Sequence, residues 1–315
     1  MNKVLLVVGL SMTGFLALAG ERVDQTLDMK LPGRVSIEHQ SGHARIHGWD
    51  KPQVQVVGEL DDRADGLEFI GKENEVRIRV KMPKSNWGSW GNDKGDDLDI
   101  YVPRESFVEY QSVNAQLKIS DVKGGTDLST VNGDINMADL AGRIHADAVN
   151  GDLRSERLNG DIRLETVNGD IHDSDSQGEE IRYESVNGDI HANSSISKIG
   201  VETVNGDAEF KFARVEKLIL QTVSGDAEVQ LQLSDNGEVD IGSVSGSVDL
   251  LFEGEVSATF DLESHAGGNF RNKLTADKPS QAKYGPARWL KFSTGTGTAR
   301  VEASTVSGRV TLDKR

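Results

Sequence analysis

The sequence contains no cysteine, so disulfides contribute nothing to its stability. It also has few aromatic residues, 5% of 315, and only 6 prolines. So little bulky apolar material argues against thick helical layers around a large core. It favours a thin structure in which small aliphatic side chains stack in layers and backbone hydrogen bonds supply much of the stability.

Positive charge is also scarce, because 35 Lys and Arg face 51 Asp and Glu, which gives a net charge of -16. A surface of this sign repels nucleic acid and anionic lipid headgroups, so we expect no nucleic-acid partner. Cations, basic proteins and neutral glycans remain open. We expect the partner to be an envelope protein or a surface glycan, and the sequence leaves the oligomeric state undetermined.

A long apolar run occurs only at the start of the chain. Lys3 precedes an apolar stretch at 4–18, which ends in the small residues of Ala17-Leu18-Ala19. This order is typical of a secretory signal peptide, and the run is too short and wrongly flanked for a stable membrane span. We therefore predict a signal peptide at residues 1–19, no membrane insertion after cleavage, and a periplasmic, cell-surface or secreted protein. An uncleaved N-terminal anchor is the alternative.

A repeat dominates the rest of the sequence. Val-Asn-Gly-Asp-Ile occurs three times, and close variants continue the series on both sides. Successive units start at residues 113, 131, 149, 167, 186, 204, 223 and 244, so the steps are 18, 18, 18, 19, 18, 19 and 21 residues. A near-constant period indicates a coil in which each repeat lies on the one before, at a spacing of about 4.8 Å.

One unit shows how such a coil would form. Ile162 and Leu164 alternate with charged residues, which is typical of a strand with one buried face. Val167 is predicted to break this alternation and start a corner, where Asn-Gly supplies a positive φ. The predicted structural turns are Asn132, Gly133, Asn150, Gly151, Asn168, Gly169, Asn187, Gly188, Asn205 and Gly206.

The constant phase predicts an all-β fold, a single-chain parallel β-solenoid (β-helix) with coils of about 18 residues. Asn-Gly turns are also typical of antiparallel hairpins, which remain the alternative. After the signal peptide we predict an N-terminal β cap or irregular start of the solenoid at 20–110 and regular repeats at 111–253. An excursion and a closing coil follow at 254–315, with 299–312 as the last coil.

Three tryptophans are candidates for contact with a ligand or partner. Trp87 and Trp90 lie in a polar loop, and Trp289 lies in the excursion at 264–298. Exposed indoles can stack on a sugar or on a partner surface. For the first two, folding back onto the cap is the alternative.

The strongest candidates for metal ligands are the aspartates of the repeat: Asp134, Asp152, Asp170, Asp189, Asp207 and Asp226. Stacked carboxylates repel one another unless they are screened, and Ca²⁺ could bridge them. The glycine-rich motif of calcium β-rolls is absent, however. We therefore expect these aspartates to accept hydrogen bonds from turn amides and expect no cofactor. A calcium-binding, β-roll-like protein remains the alternative.

Catalytic residues are not expected. The acids repeat evenly instead of converging on one groove, and no nucleophile elbow or phosphate-binding loop occurs. His172 and His191 share one register in successive coils, so their rings are predicted to stack, but a third metal ligand is not apparent. The sequence thus indicates a non-enzymatic protein.

Tandem Thr-Val-Asn-Gly-Asp-Ile and Thr-Val-Ser-Gly-Asp units resemble those of the bacterial putative-adhesin family of DUF4097 type. The head domain of autotransporter adhesins is similar. The clearest units here are Thr130–Ile135, Thr166–Ile171, Thr203–Ala208 and Thr222–Ala227. The resemblance covers residues 30–312 and implies an exported β-solenoid that acts as an adhesin or an envelope binding or scaffold protein. A periplasmic regulatory module that binds a protein partner is the alternative.

Overall fold

The computed structural model describes residues 20–83 and 95–315. Their regular structure is all β, and many of the strand pairs are parallel, as the sequence predicts. No helix in this part of the chain is long and apolar enough to cross a membrane. The predicted signal peptide at 1–19 and the candidate residues Trp87 and Trp90 lie outside the described residues.

The strands fall into three groups along the chain. The first group is β1 (Arg22–Asp28), β2 (Arg34–Trp49), β3 (Gln53–Glu59), β4 (Gly66–Lys72), β5 (Glu75–Lys81), β6 (Asp96–Pro103) and β7 (Phe107–Ser120). The second is β8 (Thr126–Asn132), β9 (Ile135–Ala138), β10 (Ala141–Asn150), β11 (Leu153–Glu156), β12 (Asn159–Asn168), β13 (Ile171–Asn187), β14 (Ile190–Ser194), β15 (Lys198–Asn205), β16 (Ala208–Ser224), β17 (Ala227–Ser243) and β18 (Ser247–Phe252). The third is β19 (Ala258–Ser264), β20 (Asn269–Asn272), β21 (Ser280–Gln281), β22 (Arg288–Ser293), β23 (Ala299–Thr305) and β24 (Arg309–Lys314).

Parallel pairing at the repeat distance organises the central strands. Ile144 of β10 lies beside Ile162 of β12, which in turn lies beside Ile181 of β13. Each coil gives one strand to each of two faces. The short-strand face comprises β9, β11, β14 and the first parts of β13, β16 and β17. The long-strand face comprises β8, β10, β12, β15 and the second parts of the same three strands.

Small aliphatic side chains fill the space between the faces. Leu153, Ile171 and Ile190 occupy equivalent positions in successive coils, and all three are fully buried. Each buried side chain of this size is worth about 1.5–3 kcal/mol relative to exposure. Because the same position is apolar in coil after coil, one continuous core runs along the stack, as the low aromatic content predicts.

The corner of the repeat differs from the prediction in one respect. Thr166 is buried at 4% exposure, and Val167 is 39% exposed. The alternation of the strand therefore continues through Val167, which points outward, and the prediction that it breaks there was wrong. The inward position is taken by the preceding Thr or Ser, which a hydrophobicity pattern does not reveal.

The glycines of the corner are required for a second reason besides φ. Gly133 and Gly206 have positive φ values of 146° and 148°, as predicted, whereas Gly151, Gly169 and Gly188 do not adopt the left-handed region. Gly169 lies directly on Gly151, and a Cβ at Gly169 would sit 2.1 Å from the Gly151 carbonyl oxygen. The close approach of successive coils therefore excludes any side chain there.

The N-terminal strands join the same stack. Strand β2 pairs in parallel with β5 and β6 on one side and with β7 on the other. Antiparallel pairs β1–β3, β3–β6 and β4–β5 then cover the outer edge. An exposed edge strand can pair with other chains, so these antiparallel strands protect the open end of the stack.

The C-terminal strands do not follow the stack in sequence order. Strand β23 lies between β17 and β19, and β24 lies between β18 and β20. The segment predicted as the last coil is therefore inserted before the coil of β19 and β20, and that prediction was wrong. Strand β22 runs antiparallel along β19 and covers its outer edge, which gives the excursion a structural role.

We expect Gly169→Ala to lower the free energy of unfolding by at least about 2 kcal/mol, because the added methyl group meets backbone that cannot move aside. Gly200→Ala is the matched control, since its Cβ would meet only the Arg182 side chain, at 3.6 Å. Denaturant unfolding of both variants measures the difference. Equal stability of the two variants would contradict this account of the corner.

Candidate binding surfaces

The asparagines of the turn hydrogen-bond to one another. The Nδ2 of Asn150 donates to the Oδ1 of Asn132 at 2.8 Å, and Asn168 donates to Asn150 at 2.9 Å. The same kind of hydrogen bond recurs as far as Asn205, which donates to Asn187 at 3.0 Å. Each amide is therefore donor to one coil and acceptor from the next, so the ladder is self-complementary.

The aspartates bond to backbone amides of the following coil. The Oδ1 of Asp134 accepts from the amide of Asp152 at 3.1 Å, and the Oδ1 of Asp152 accepts from the amide of Asp170 at 3.0 Å. The series continues to the Oδ1 of Asp226, which accepts from the amide of Ser247 at 2.7 Å. One oxygen of each carboxylate thus helps to hold two coils together.

A different group in the described residues could hold a metal ion. Asp127, His145 and Asp147 each place one ligand atom within 4.8 Å of the others. The Nδ1 of His145 lies 3.6 Å from Asp127, and its Nε2 lies 3.1 Å from Glu165. Both ring nitrogens of His145 therefore face carboxylates, and exposed acidic groups of this kind are common in proteins without a bound metal ion.

A buried carboxylate was not found by sequence reasoning. Asp173 occupies a core position and accepts hydrogen bonds from Ser155 and Ser176, both at 2.6 Å, and from Tyr183 at 2.8 Å. Burial raises the pKa of Asp173, and the three hydroxyl donors only partly offset this. Residue 173 is at an inward position in the alternation of β13, and this alternation could have revealed the buried carboxylate from the sequence.

A second buried polar cluster lies near the N-terminal end. The Nδ1 of His39 is 2.9 Å from the Tyr110 hydroxyl, and its Nε2 is 3.1 Å from the Oδ2 of Asp96. The other Asp96 oxygen accepts from the amide of Asp61 at 2.7 Å. All four residues are buried, so this cluster joins four segments of the cap and presents no reactive group to solvent. Val35, Ile37 and His39 are every second residue of β2, so the alternation of the strand points the imidazole inward.

A groove lies on the short-strand face, and we call it the polar groove. It has a volume of about 860 Å³ and takes residues from β2, β7, β9, β11, β13, β14 and β16. Its cationic and imidazole groups are His47, Lys118, Arg154, His172, His191 and Lys211. The rings of His172 and His191 stack with centroids 5.2 Å apart and 5° between planes, which confirms their predicted proximity.

Two aromatic rings lie beside one end of the polar groove, next to its lining residue His47, although they are not themselves part of the lining. His47 lies against Tyr101 with centroids 5.4 Å apart, and Tyr101 stacks on Trp49 at 5.3 Å. The Nζ of Lys51 lies 4.4 Å from the Trp49 ring centroid. Trp289, the candidate from the sequence, is 40% exposed on β22 and does not line this groove. The sequence did not reveal these two rings, because Trp49 and Tyr101 are 52 residues apart and meet only through pairing of β2 with β6.

These features define the class of protein: a stacked, mostly parallel β-repeat protein with long polar surfaces. The family model called Toastrack DUF4097 matches residues 33–313, and the chain belongs to this family. The resemblance drawn from the tandem units is thus confirmed. Toastrack folds are β-solenoid-like. No protein of curated function matches the sequence.

Several solved structures are similar to this chain, and all of them are distant in sequence. A putative lipid binding protein from Parabacteroides distasonis is 12% identical, with 94% of this chain and 97% of that chain covered and a TM-score of 0.45. A putative adhesin from Bacteroides fragilis is 12% identical over 93% and 97%, with a TM-score of 0.35. A putative cell adhesion protein from Clostridium sporogenes is 10% identical over 94% and 100%, with a TM-score of 0.25. Scores this low carry no argument about what this chain binds.

For the aspartate ladder we expect Asp170→Asn to change the melting temperature little, because the amide oxygen can still accept from the Asp189 amide, a bond of 2.9 Å. Asp170→Ala should lower stability by about 1 kcal/mol, since that acceptor is lost. Melting with Ca²⁺ and with chelator separates the two roles of the ladder. A calcium-dependent rise that Asp170→Asn abolishes would indicate a cation site instead.

For the buried carboxylate we expect Asp173→Asn to flatten the dependence of stability on pH. The pKa of Asp173 is raised in the folded state, so the stability it contributes is present below the unfolded pKa and is lost as pH rises through the folded pKa. Asparagine does not ionise, and the variant should be at least as stable as the parent at neutral pH. Melting temperatures across acidic to neutral pH test this, and an unchanged slope would contradict it.

Proposed function

We propose that this chain is an exported, non-enzymatic β-solenoid with coils of about 18 residues, and that it binds an extended surface glycan in the polar groove as an adhesin or envelope binding protein. The observation that carries this proposal is the groove itself, which crosses seven strands and has a pair of stacked aromatic rings beside one end. Six steps of about 4.8 Å between those strands give a length of roughly 29 Å.

The chemistry of the groove suits a glycan. The rings of Trp49 and Tyr101 add apolar surface with a polar rim beside His47, against which a sugar ring can pack. Asn136, Arg154 and His172 lie at equivalent positions of β9, β11 and β13 and offer hydrogen-bonding groups at regular intervals. A chain of similar units can therefore make the same contact repeatedly.

Two further observations support a binding role at the cell envelope. The arrangement of residues 1–19 is that of a secretory signal peptide. The polar side chains of the groove repeat along the face, whereas catalysis needs an acid, a base and a stabilising group that converge on one reacting atom. Repetition of this kind suits recognition of a polymer.

Binding to immobilised polysaccharide extracted from the producing cells tests the proposal. We expect Arg154→Ala combined with His172→Ala to weaken binding at least tenfold, because both side chains line the middle of the groove. Trp49→Ala should weaken it similarly through loss of stacking. Glu228→Gln, on the same face but outside the groove, is the control and should bind like the parent protein.

Two outcomes would contradict the proposal. One is equal binding by the parent and the double variant when melting shows that both are folded. The other is resistance of the protein to protease both in intact cells and after the outer membrane is opened, while an exported marker is digested. Digestion in intact cells places the protein on the surface, and digestion only after opening places it in the periplasm; both agree with export.

A further inference from the structure

The long-strand face carries a second groove that the polar groove does not use. It has a volume of about 750 Å³ and lies over β10, β12, β13, β15, β16 and β17. One wall is a row of carboxylates, and the other is a row of valines. We call it the acid–valine groove. Buried Thr166, Ser185 and Thr203 form its floor.

The valine wall is an exposed aliphatic stripe. Its members are Val149, Val167, Val186, Val204, Val223 and Val244, each between 38% and 45% exposed. Five steps of about 4.8 Å make this stripe roughly 24 Å long. Outward valines in unbroken register contribute little to the core, and a contiguous exposed apolar stripe with a polar border is typical of an interaction surface.

The carboxylate wall is a second stripe in the same register. Asp147 lies beside Glu165, Glu165 beside Glu184, and Glu184 beside Glu202. Burial raises the pKa of Glu184, and the neighbouring carboxylates raise it further. The row therefore holds like charges at close spacing, which is unfavourable without a cationic partner.

Cations already border this row on the side away from the valines. Arg163 pairs with Glu165 and lies 3.1 Å from Glu184, and Arg182 lies 3.8 Å from Glu184 and 3.5 Å from Glu202. His145 lies 3.1 Å from Glu165. Asp127 lies beside His145, and Asp240 lies at the far end of the groove. The side of the carboxylates that faces the valines has no cation among the groove's lining residues.

We propose that the acid–valine groove binds a basic amphipathic α-helix of a partner protein. A stripe of leucine or isoleucine on the helix would cover the valines, and an adjacent stripe of lysine or arginine would pair with the four carboxylates. A helix of about 16 residues spans 24 Å. Its pitch of 5.4 Å is close to the spacing of the coils, so side chains one turn apart meet successive coils.

Other occupants fit the same surface less well. A second copy of this chain would bring one carboxylate row against another, and an anionic lipid surface would be repelled in the same way. An extended strand laid along the stack repeats its side chains on one face every 6.6–6.8 Å or so, which departs further from the spacing of the coils than a helical turn does. This inference concerns the opposite face from the polar groove and does not depend on glycan binding there.

A synthetic helical peptide of about 18 residues, with one leucine stripe flanked by one lysine stripe, is the probe. Fluorescence anisotropy measures its binding to the purified protein at low and high salt. We expect a scrambled peptide of the same composition, which has no stripes, to bind at least tenfold more weakly. We also expect high salt to weaken binding of the striped peptide, because the carboxylates supply part of the attraction.

Two pairs of substitutions identify the walls. Glu165→Gln with Glu202→Gln should weaken binding about tenfold and reduce its salt dependence. Val186→Ser with Val204→Ser should weaken it about tenfold at both salt concentrations. These side chains point outward, so both variants are expected to fold, and melting checks this.

Matched controls carry the same changes elsewhere. Glu228→Gln with Asp249→Asn removes two charges from the short-strand face, and Val113→Ser with Val131→Ser removes two valines of the ladder that do not line the groove. Both controls should bind the peptide within twofold of the parent. Equal weakening by test and control variants would overturn the proposal, as would equal binding of the scrambled peptide. A protein dimer that the Val186 and Val204 substitutions dissociate would show that a second copy occupies the groove instead.

Discussion

The parallel register at the repeat distance is the constraint on which the rest of the structure depends. Once Ile144 lies beside Ile162, every residue of one coil lies beside its equivalent in the next, at about 4.8 Å. A side chain is then acceptable only where it tolerates a copy of itself as neighbour. Aliphatic side chains meet this condition inside, and asparagine meets it at the corner because its amide both donates and accepts.

Side chains that repel their own copies need a different arrangement. Asp134 and Asp152 do so by accepting the backbone amide of the next coil, so that a potential repulsion becomes a hydrogen bond between coils. Asp173 avoids the problem because its neighbours in register are Ser155 and Ala192, and the serine hydroxyl donates to it. Burial still raises the pKa of Asp173, so its hydroxyl donors do not fully replace the lost water.

Much of this could be predicted from the sequence, because a repeat period is a one-dimensional property of the chain. The β class, the parallel pairing and the stacked histidines all follow from spacing. What spacing does not contain is the inward Thr before each outward valine, such as Thr166 before Val167, since a hydrophobicity pattern ranks the pair in the opposite order. Nor does it contain the insertion of β23 between β17 and β19, which depends on contacts between distant segments. The aromatic rings beside the polar groove were missed for that same reason.

The same self-stacking rule separates structural ladders from surfaces available for binding. The asparagine and aspartate ladders use their hydrogen-bonding groups on neighbouring coils, so their stacking stabilises the fold. The carboxylates from Asp147 to Glu202 and the outward valines gain little from their own copies, yet they stay in register over several coils. The arginine and histidine partners of the carboxylates lie on the side away from the valines, so the side that faces the valines, where charge lies beside apolar surface, is where a partner can lower the free energy most. A ligand that supplies cations and aliphatic side chains with the spacing of the coils would relieve both deficits at once.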